Sequence, residues 1–315
     1  MNIYDLVTHY VSLRRKMGQR FITHENILRS FCRAVGPRTP IIQIRPKAVT
    51  KFLTGTGTLS TTWHLKYRVL KGFFPFAVSR GHRDNIPLPA ELPKCQSSFA
   101  PYIYSRDELR CLLGAVPSRR RYLSHIEPAT LRTILLLLYG AGLRRGEVLR
   151  LKVADVDLAN ALLTIRDTKF FKSRLVPVGP DLSNVLSDYA RWRITTHPSA
   201  KAEGHFFVSR RGTAIHRWNL QGAFERLREQ VGVRRIDGGR HQPRLHDLRH
   251  AFAVHRLTEW YRLGADVQRL VYHLSVYMGH SHLTHTQVYL TMTPGLLRQA
   301  GTRFERYADM EDGHE

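Results

Sequence analysis

Cysteine is scarce in this chain: three in 315 residues, Cys32, Cys95 and Cys111, with no CxxC or other metal-ligand spacing. An odd number without a pattern argues against a disulfide framework or a structural zinc site and fits reduced thiols. Long apolar runs are missing as well. The longest, Ile134–Leu138 with Tyr139, is too short to span a bilayer, and the start, MNIYDLVTHYVSLRRKMG, has no apolar signal core. The expectation is a soluble, cytoplasmic protein with no membrane partner. There is also no glycine-rich phosphate loop and no acidic metal cluster, so the sequence calls for neither a nucleotide nor a metal cofactor.

Negative charge is the remaining deficit. Against 25 Asp and Glu stand 49 Lys and Arg, a formal net charge of +24. Such a surplus favours a polyanionic partner, because each cation that neutralises a phosphate releases condensed counterions. Residues 1–95 hold 16 basic and 4 acidic side chains, half of the excess, so both halves are equipped to touch nucleic acid. A basic ribosome-associated or membrane-surface protein shares this charge pattern. An apolar fraction of 43% points to a folded chain long enough for two cores.

Periodicity supplies the outline. Tyr4, Leu6, Val7, Tyr10, Val11 and Leu13 share one helical face, and Asn26–Val35 repeats the pattern with Ile27, Leu28, Phe31 and Cys32. Pro46–Leu53 reads as a third helix. Thr61–Ser79 reads as a fourth, with Lys66, Arg68 and Lys71 beside its aromatics, suited either to phosphates or to plain solvent. Residues 81–104 hold four prolines without periodicity and read as a linker, with its core at 93–104, between a helical domain of 1–92 and a second of 105–308. Ser105 and Glu108 have capping-box spacing, and helices follow at Pro128–Tyr139 and Arg144–Leu151. Ala161–Arg166 and Arg174–Val178 alternate like a β-hairpin or meander. Helical spacing then returns, up to a last helix at Pro294–Tyr307 and an acidic tail, 309–315. The fold class is mainly α with a small β-sheet (α+β).

Four stretches concentrate chemistry: Gly142-Leu-Arg144-Arg145-Gly146-Glu147, Lys169 at the hairpin tip, His246-Asp-Leu-Arg249-His250, and Met278-Gly279-His280 with Tyr289 nine residues after His280. Singly each is weak. An arginine after a glycine-rich turn is usually a surface charge. His246 and His250 lack the Glu of an HExxH zinc site, and His280, His282 and His285 have no cysteine near them. In this order, however, and within the words GLRRGEVLRL, TKFFKSRLVPVG, HDLRHAFAVH and MGHSHLTHTQVYL, the set resembles the tyrosine recombinases, the phage integrase family. The resemblance covers nearly the whole chain: the front segment is similar to the family's helical core-binding domain and the remainder to its catalytic domain.

That resemblance implies a DNA strand-exchange enzyme acting through a 3′-phosphotyrosine intermediate, with catalytic residues Arg144, Lys169, His246, Arg249, His280 and Tyr289. Two planar guanidiniums, Arg144 and Arg249, would neutralise charge on the phosphate with paired hydrogen bonds. Tyr289, a phenol with a pKa near 10, would be the nucleophile and His246 its general base. Lys169 (or its neighbour Lys172) would protonate the departing 5′ oxygen, and His280 would hydrogen-bond the phosphate. Glu147 and His250 take supporting places. The implied partners are double-stranded DNA and further copies of the chain, as a homo-tetramer on two duplexes, with partner recombinases or DNA-bending proteins possible; the last helix would dock on a neighbour or on its own domain.

Two departures from the family's pattern stand out. Arg145 occupies a usually apolar position, where it adds a phosphate contact or, one register over, replaces Arg144. The stretch between Arg249 and His280 is longer than usual, and its extra residues, around Glu259–Tyr272, imply an extended helix or loop, more in keeping with recombinases of mobile elements. The rival readings are a type IB topoisomerase-like nicking-closing enzyme and a DNA-binding architectural or regulatory protein with a decayed site.

Overall fold

Helix α1 (Ile3–Lys16) begins where the Asn2 side chain accepts the Asp5 N–H at 2.9 Å, and it ends on Arg14, Arg15 and Lys16, cations suited to a helix C-terminus. The computed structural model describes residues 1–55, 59, 61–94, 101–116, 125–166, 173–198, 204–239, 241–291, 298 and 301. It divides into two compact units, Met1–Ser98 and Phe99–Glu315.

In the first unit, α1 buries Ile3, Leu6, Val7, Tyr10 and Val11. Tyr4 and Leu13, expected on that face, lie at its margins and are exposed, with the Arg29 guanidinium over the Tyr4 ring. Helices α2 (Ile22–Val35), α3 (Pro46–Thr54) and α4 (Thr61–Ser79) pack with α1 around Phe31, Leu70, Phe73 and Phe74. Lys66 turns inward: it donates to the Phe52 carbonyl at 2.7 Å and covers the Phe52 ring. One of the three α4 cations is therefore occupied inside the fold. Part of the proline-containing stretch is packed too. Arg83 is buried and donates to the Ile41 carbonyl and to Asn85 Oδ1, and Leu88 leans on the same core.

The second unit opens with Tyr104, buried and donating its hydroxyl to the Arg244 carbonyl at 3.2 Å. The capping box then starts α5 (Arg106–Ala115): Ser105 Oγ accepts the Glu108 N–H, and Glu108 Oε2 accepts the Ser105 N–H. Helix α6 (Pro128–Gly140) has proline in its first turn, where no N–H is missed, and buries Leu131, Ile134, Leu135, Leu137 and Leu138. It packs against α8 (Pro180–Thr196) and α10 (Asp247–Arg262). Between them, the short α7 (Arg145–Arg150) leads to an antiparallel sheet of β1 (Val156–Asp157), β2 (Leu162–Ile165) and β3 (Arg174–Pro177). The expected hairpin is β2–β3, in register Leu163 with Val176, both buried; β1 was not foreseen, being only two residues long.

Helix α9 (Arg217–Gln230) packs on α5 and α7. Helix α11 (Val267–Met278) follows α10 after a turn at Gly264, so the extra residues Glu259–Tyr272 are the end of α10, that turn and the first half of α11. A single turn, α12 (Thr284–Gln287), runs into a 3-10 turn at Val288–Thr291. The fold is thus mainly helical with a small sheet. Apart from Arg298 and Gly301, the expected last helix and acidic tail lie outside the described residues. Among the described residues no helix is long and apolar enough to cross a membrane.

Candidate active site

Three turns of the second unit are tied together by two arginines. Arg249, in the first turn of α10 and only 2% exposed, donates from Nη1 to the Gly142 carbonyl and from Nη2 to the Met278 carbonyl at 2.7 Å. Arg144, the N-cap of α7, donates from Nη2 to the Gly279 carbonyl at 2.7 Å and from Nη1 to Glu147 Oε1 at 2.8 Å. The turns need their glycines. Gly142 has φ +58°, and a Cβ there would fall 2.4 Å from the Phe252 ring. Gly279 ends α11 at φ +69°, and its Cβ would lie 2.8 Å from Arg174 Nη1. A guanidinium carries five N–H donors, so each arginine keeps others for a ligand.

Glu147 braces this arrangement from below. Its buried carboxylate accepts the Arg144 N–H at 2.9 Å and a fork from Arg174 of β3 at 3.0 and 2.9 Å, while Arg174 Nε donates to the Tyr277 carbonyl. Burial alone would raise the Glu147 carboxyl, but Arg174 and then Arg144 overrule it and hold it down at about 2. Two guanidiniums therefore bind one carboxylate, which also acts on Arg249 through space. Burial, with Arg144 close by, pushes Arg249 down to about 9, still cationic at neutral pH. The cluster carries an uncompensated positive charge and is a seat for an anion.

Tyr289, 3% exposed, stands beside it on the 3-10 turn after α12. Burial raises its pKa, and Arg249 and Arg144 pull against that rise. Its hydroxyl lies 2.9 Å from His250 Nδ1. His250 is pushed down to about 4 by burial and by His246. His280 is pushed down to about 3 by burial, Arg249 and Arg144, and its Nδ1 lies 2.7 Å from the hydroxyl of fully buried Thr286. His246 is also lowered by the protein around it and by Arg249, although its ring stays open to solvent at the edge of α10. All three imidazoles are neutral at pH 7, able to donate with one nitrogen and accept with the other.

Arg144, Arg249, His280 and Tyr289 are thus brought together around one site. His246 lies edge-on to His250, ring centroids 4.9 Å apart, so the phenol's partner is His250, which sequence reasoning had given only a supporting place. Its i, i+4 spacing from His246 was the available signal. Arg145 turns away and donates to Gln221 of α9 at 3.0 Å, leaving the carbonyl-tied position to Arg144. Lys169 and Lys172 lie outside the described residues. Sequence reasoning missed Arg174, hidden in a strand pattern, and Thr286. It also missed the Arg244–Asp247 pair, in which buried Asp247 accepts the Arg244 N–H at 2.8 Å at the start of α10.

Residues 105–294 match the phage integrase family. Over 305 residues the chain is 34% identical to a putative integrase/recombinase, y4rE, of Sinorhizobium fredii, covering 95% of this chain and 94% of that one. Among solved structures it resembles the Tn1549 transposon integrase in complex with transposon right end DNA (TM-score 0.70, 17% identity, 98% of this chain and all of that one, at 100%). It also resembles a lambda integrase tetramer bound to a Holliday junction (TM-score 0.67, 16% identity, 92% of this chain and 77% of that one).

Proposed function

Because this chain belongs to the phage integrase family, and is therefore a tyrosine-type site-specific recombinase, we propose that it exchanges DNA strands through a 3′-phosphotyrosine link at Tyr289. Arg144 and Arg249 hold the non-bridging oxygens of the scissile phosphate, and His280 and His246 add neutral hydrogen bonds. Tyr289 Oη attacks phosphorus, and the 5′ oxygen departs with a proton from Lys169 or its neighbour Lys172. A 5′ hydroxyl from the other duplex then reverses the step. Each step exchanges one phosphodiester for another, so the sequence of bonds balances without a metal ion or nucleotide hydrolysis. The observation that carries this reading is the pair of guanidiniums, Arg249 buried and Arg144 half-buried, each fixed by backbone carbonyls. Preorganised donors of this kind stabilise charge that grows in the transition state.

The working form is a homo-tetramer on two DNA duplexes, acting in the cytoplasm, with partner recombinases or bending proteins as the element requires. The tetramer in which lambda integrase was solved supports this stoichiometry, and the +24 charge supports the polyanion.

The test is covalent capture. Protein is mixed with DNA from the flanks of its own gene in EDTA, stopped with SDS and compared with Tyr289→Phe. Adduct in the wild type alone, mapped to a discrete sequence, is the expected result. No adduct even on nicked, trapping substrates would leave a DNA-binding protein, and relaxation of plasmids lacking the mapped site would favour a nicking-closing enzyme.

A further inference from the structure

The proton on the Tyr289 hydroxyl has to be taken up where bulk solvent does not reach, because the residue is 3% exposed. We propose that His250, rather than His246, accepts this proton during strand cleavage and returns it on rejoining, an inference that rests on the phosphotyrosine reading above. His250 Nδ1 is 2.9 Å from Tyr289 Oη, at hydrogen-bond reach of the reacting atom. The two rings are tilted by 57° at 5.5 Å between centroids. His246 packs edge-on against His250, and the hydrogen-bond partner of the phenol is His250.

The surroundings of His250 suit an acceptor. Its imidazole is neutral at rest, held so by burial, His246, Arg244 and Arg249, with buried Asp247 as the one opposing charge. From the other elements it faces Tyr289 and the neutral His280. A phosphodiester bound at Arg144 and Arg249 brings negative charge to Arg249, one of the cations that, with burial, depress the imidazole. Substrate binding therefore raises the basicity of His250 when the proton must move. As the Oη–phosphorus bond forms, the O–H bond breaks and Nδ1 gains the proton, leaving an imidazolium. The phosphorus–O5′ bond breaks, and its oxygen is protonated separately by the general acid. On rejoining, the imidazolium protonates Oη as it leaves phosphorus.

Two substitutions separate proton transfer from mere holding. His250→Asn keeps an acceptor oxygen near the Nδ1 position but has no basicity, whereas His250→Ala removes both. Single-turnover cleavage would be measured on a nicked duplex carrying the site mapped by covalent capture. A second duplex would carry a 5′-bridging sulfur, whose thiolate leaves without a proton. His246→Asn runs alongside, with DNA binding and thermal melting as controls on folding.

The expected result is a loss of roughly 10²–10⁴-fold for both His250 variants, the size of a general acid–base contribution, with binding retained. The loss should persist on the sulfur substrate, and the His250→Asn rate should climb with pH as hydroxide replaces the missing base. Wild-type speed in His250→Asn would overturn the proposal in favour of a holding role. So would a larger loss in His246→Asn, or recovery of His250→Asn on the sulfur substrate, which would place the residue on the leaving-group side. Failure of the wild type itself to form an adduct would sink the phosphotyrosine reading instead.

Discussion

Arg83 in the first unit and Arg249 in the second are buried to a similar degree, 6% and 2% exposed, and both donate to main-chain carbonyls. Their surroundings differ in sign. Arg83 bridges the Ile41 and Ile44 carbonyls and Asn85, lies over the Phe74 ring, and has Asp84 as its charged neighbour. It fastens the chain after α4 to the helical core. Arg249 has Arg144 and Arg174 near it, and the one carboxylate acting on it, Glu147, is already paired with both. Burying a charge is tolerated in either place because it is hydrogen-bonded. Only the second arrangement is left short of an anion, and that shortfall is what makes it a site.

The comparison can be broken most forcefully at Glu147. Glu147→Gln leaves Arg144 and Arg174 without their carboxylate and should destabilise the second unit by about 3–5 kcal/mol, read in denaturant titration. The pH dependence carries a sign. The folded carboxyl sits at about 2, below its ordinary 4.5. Its stabilisation, on the order of 3 kcal/mol, is therefore complete above about pH 4.5 and is lost as pH falls toward 2. Glu147→Gln should flatten that acid limb, and an unchanged limb would show that Glu147 does not brace the arginines.

Arg249→Lys keeps a charge but not the fork, so adduct formation should slow by roughly 10²–10³-fold, with salt-dependent DNA binding largely retained. Gly279→Ala forces an L side chain into the left-handed region and against Arg174; a loss of about 1–3 kcal/mol in melting is expected, with slower cleavage as Arg174 shifts. The smallest effect belongs to Arg83→Met, about 1–2 kcal/mol of stability with the cleavage rate per folded molecule unchanged. A rate loss in that variant, with folding intact, would erase the distinction between the two arginines.

Much of this molecule was legible from local pattern. The helices α1 to α4, the Ser105 capping box, the β2–β3 hairpin and the motif residues Arg144, Arg249, His280 and Tyr289 each follow from short-range spacing or a compact word. Lys66 was ambiguous because a cation beside aromatics serves phosphate and ring face equally well, and only the position of Phe52 decided between them. Arg174 stayed hidden because strand alternation accounts for it without a partner. Its partner lies 27 residues away in sequence.

The sequence by itself determined the fold class, the excess of positive charge and the identity of the family, because periodicity, composition and motif words are properties of neighbouring residues. Tertiary structure decided which of two adjacent arginines faces the carbonyls, which histidine meets Tyr289, and how one carboxylate serves both Arg144 and Arg174. The physical reason is distance: Arg144 meets Gly279 across 135 positions, Arg249 meets Gly142 across 107, and Tyr289 meets His250 across 39. Contacts of that span depend on how α7, α10 and α11 pack, and no local pattern encodes the packing.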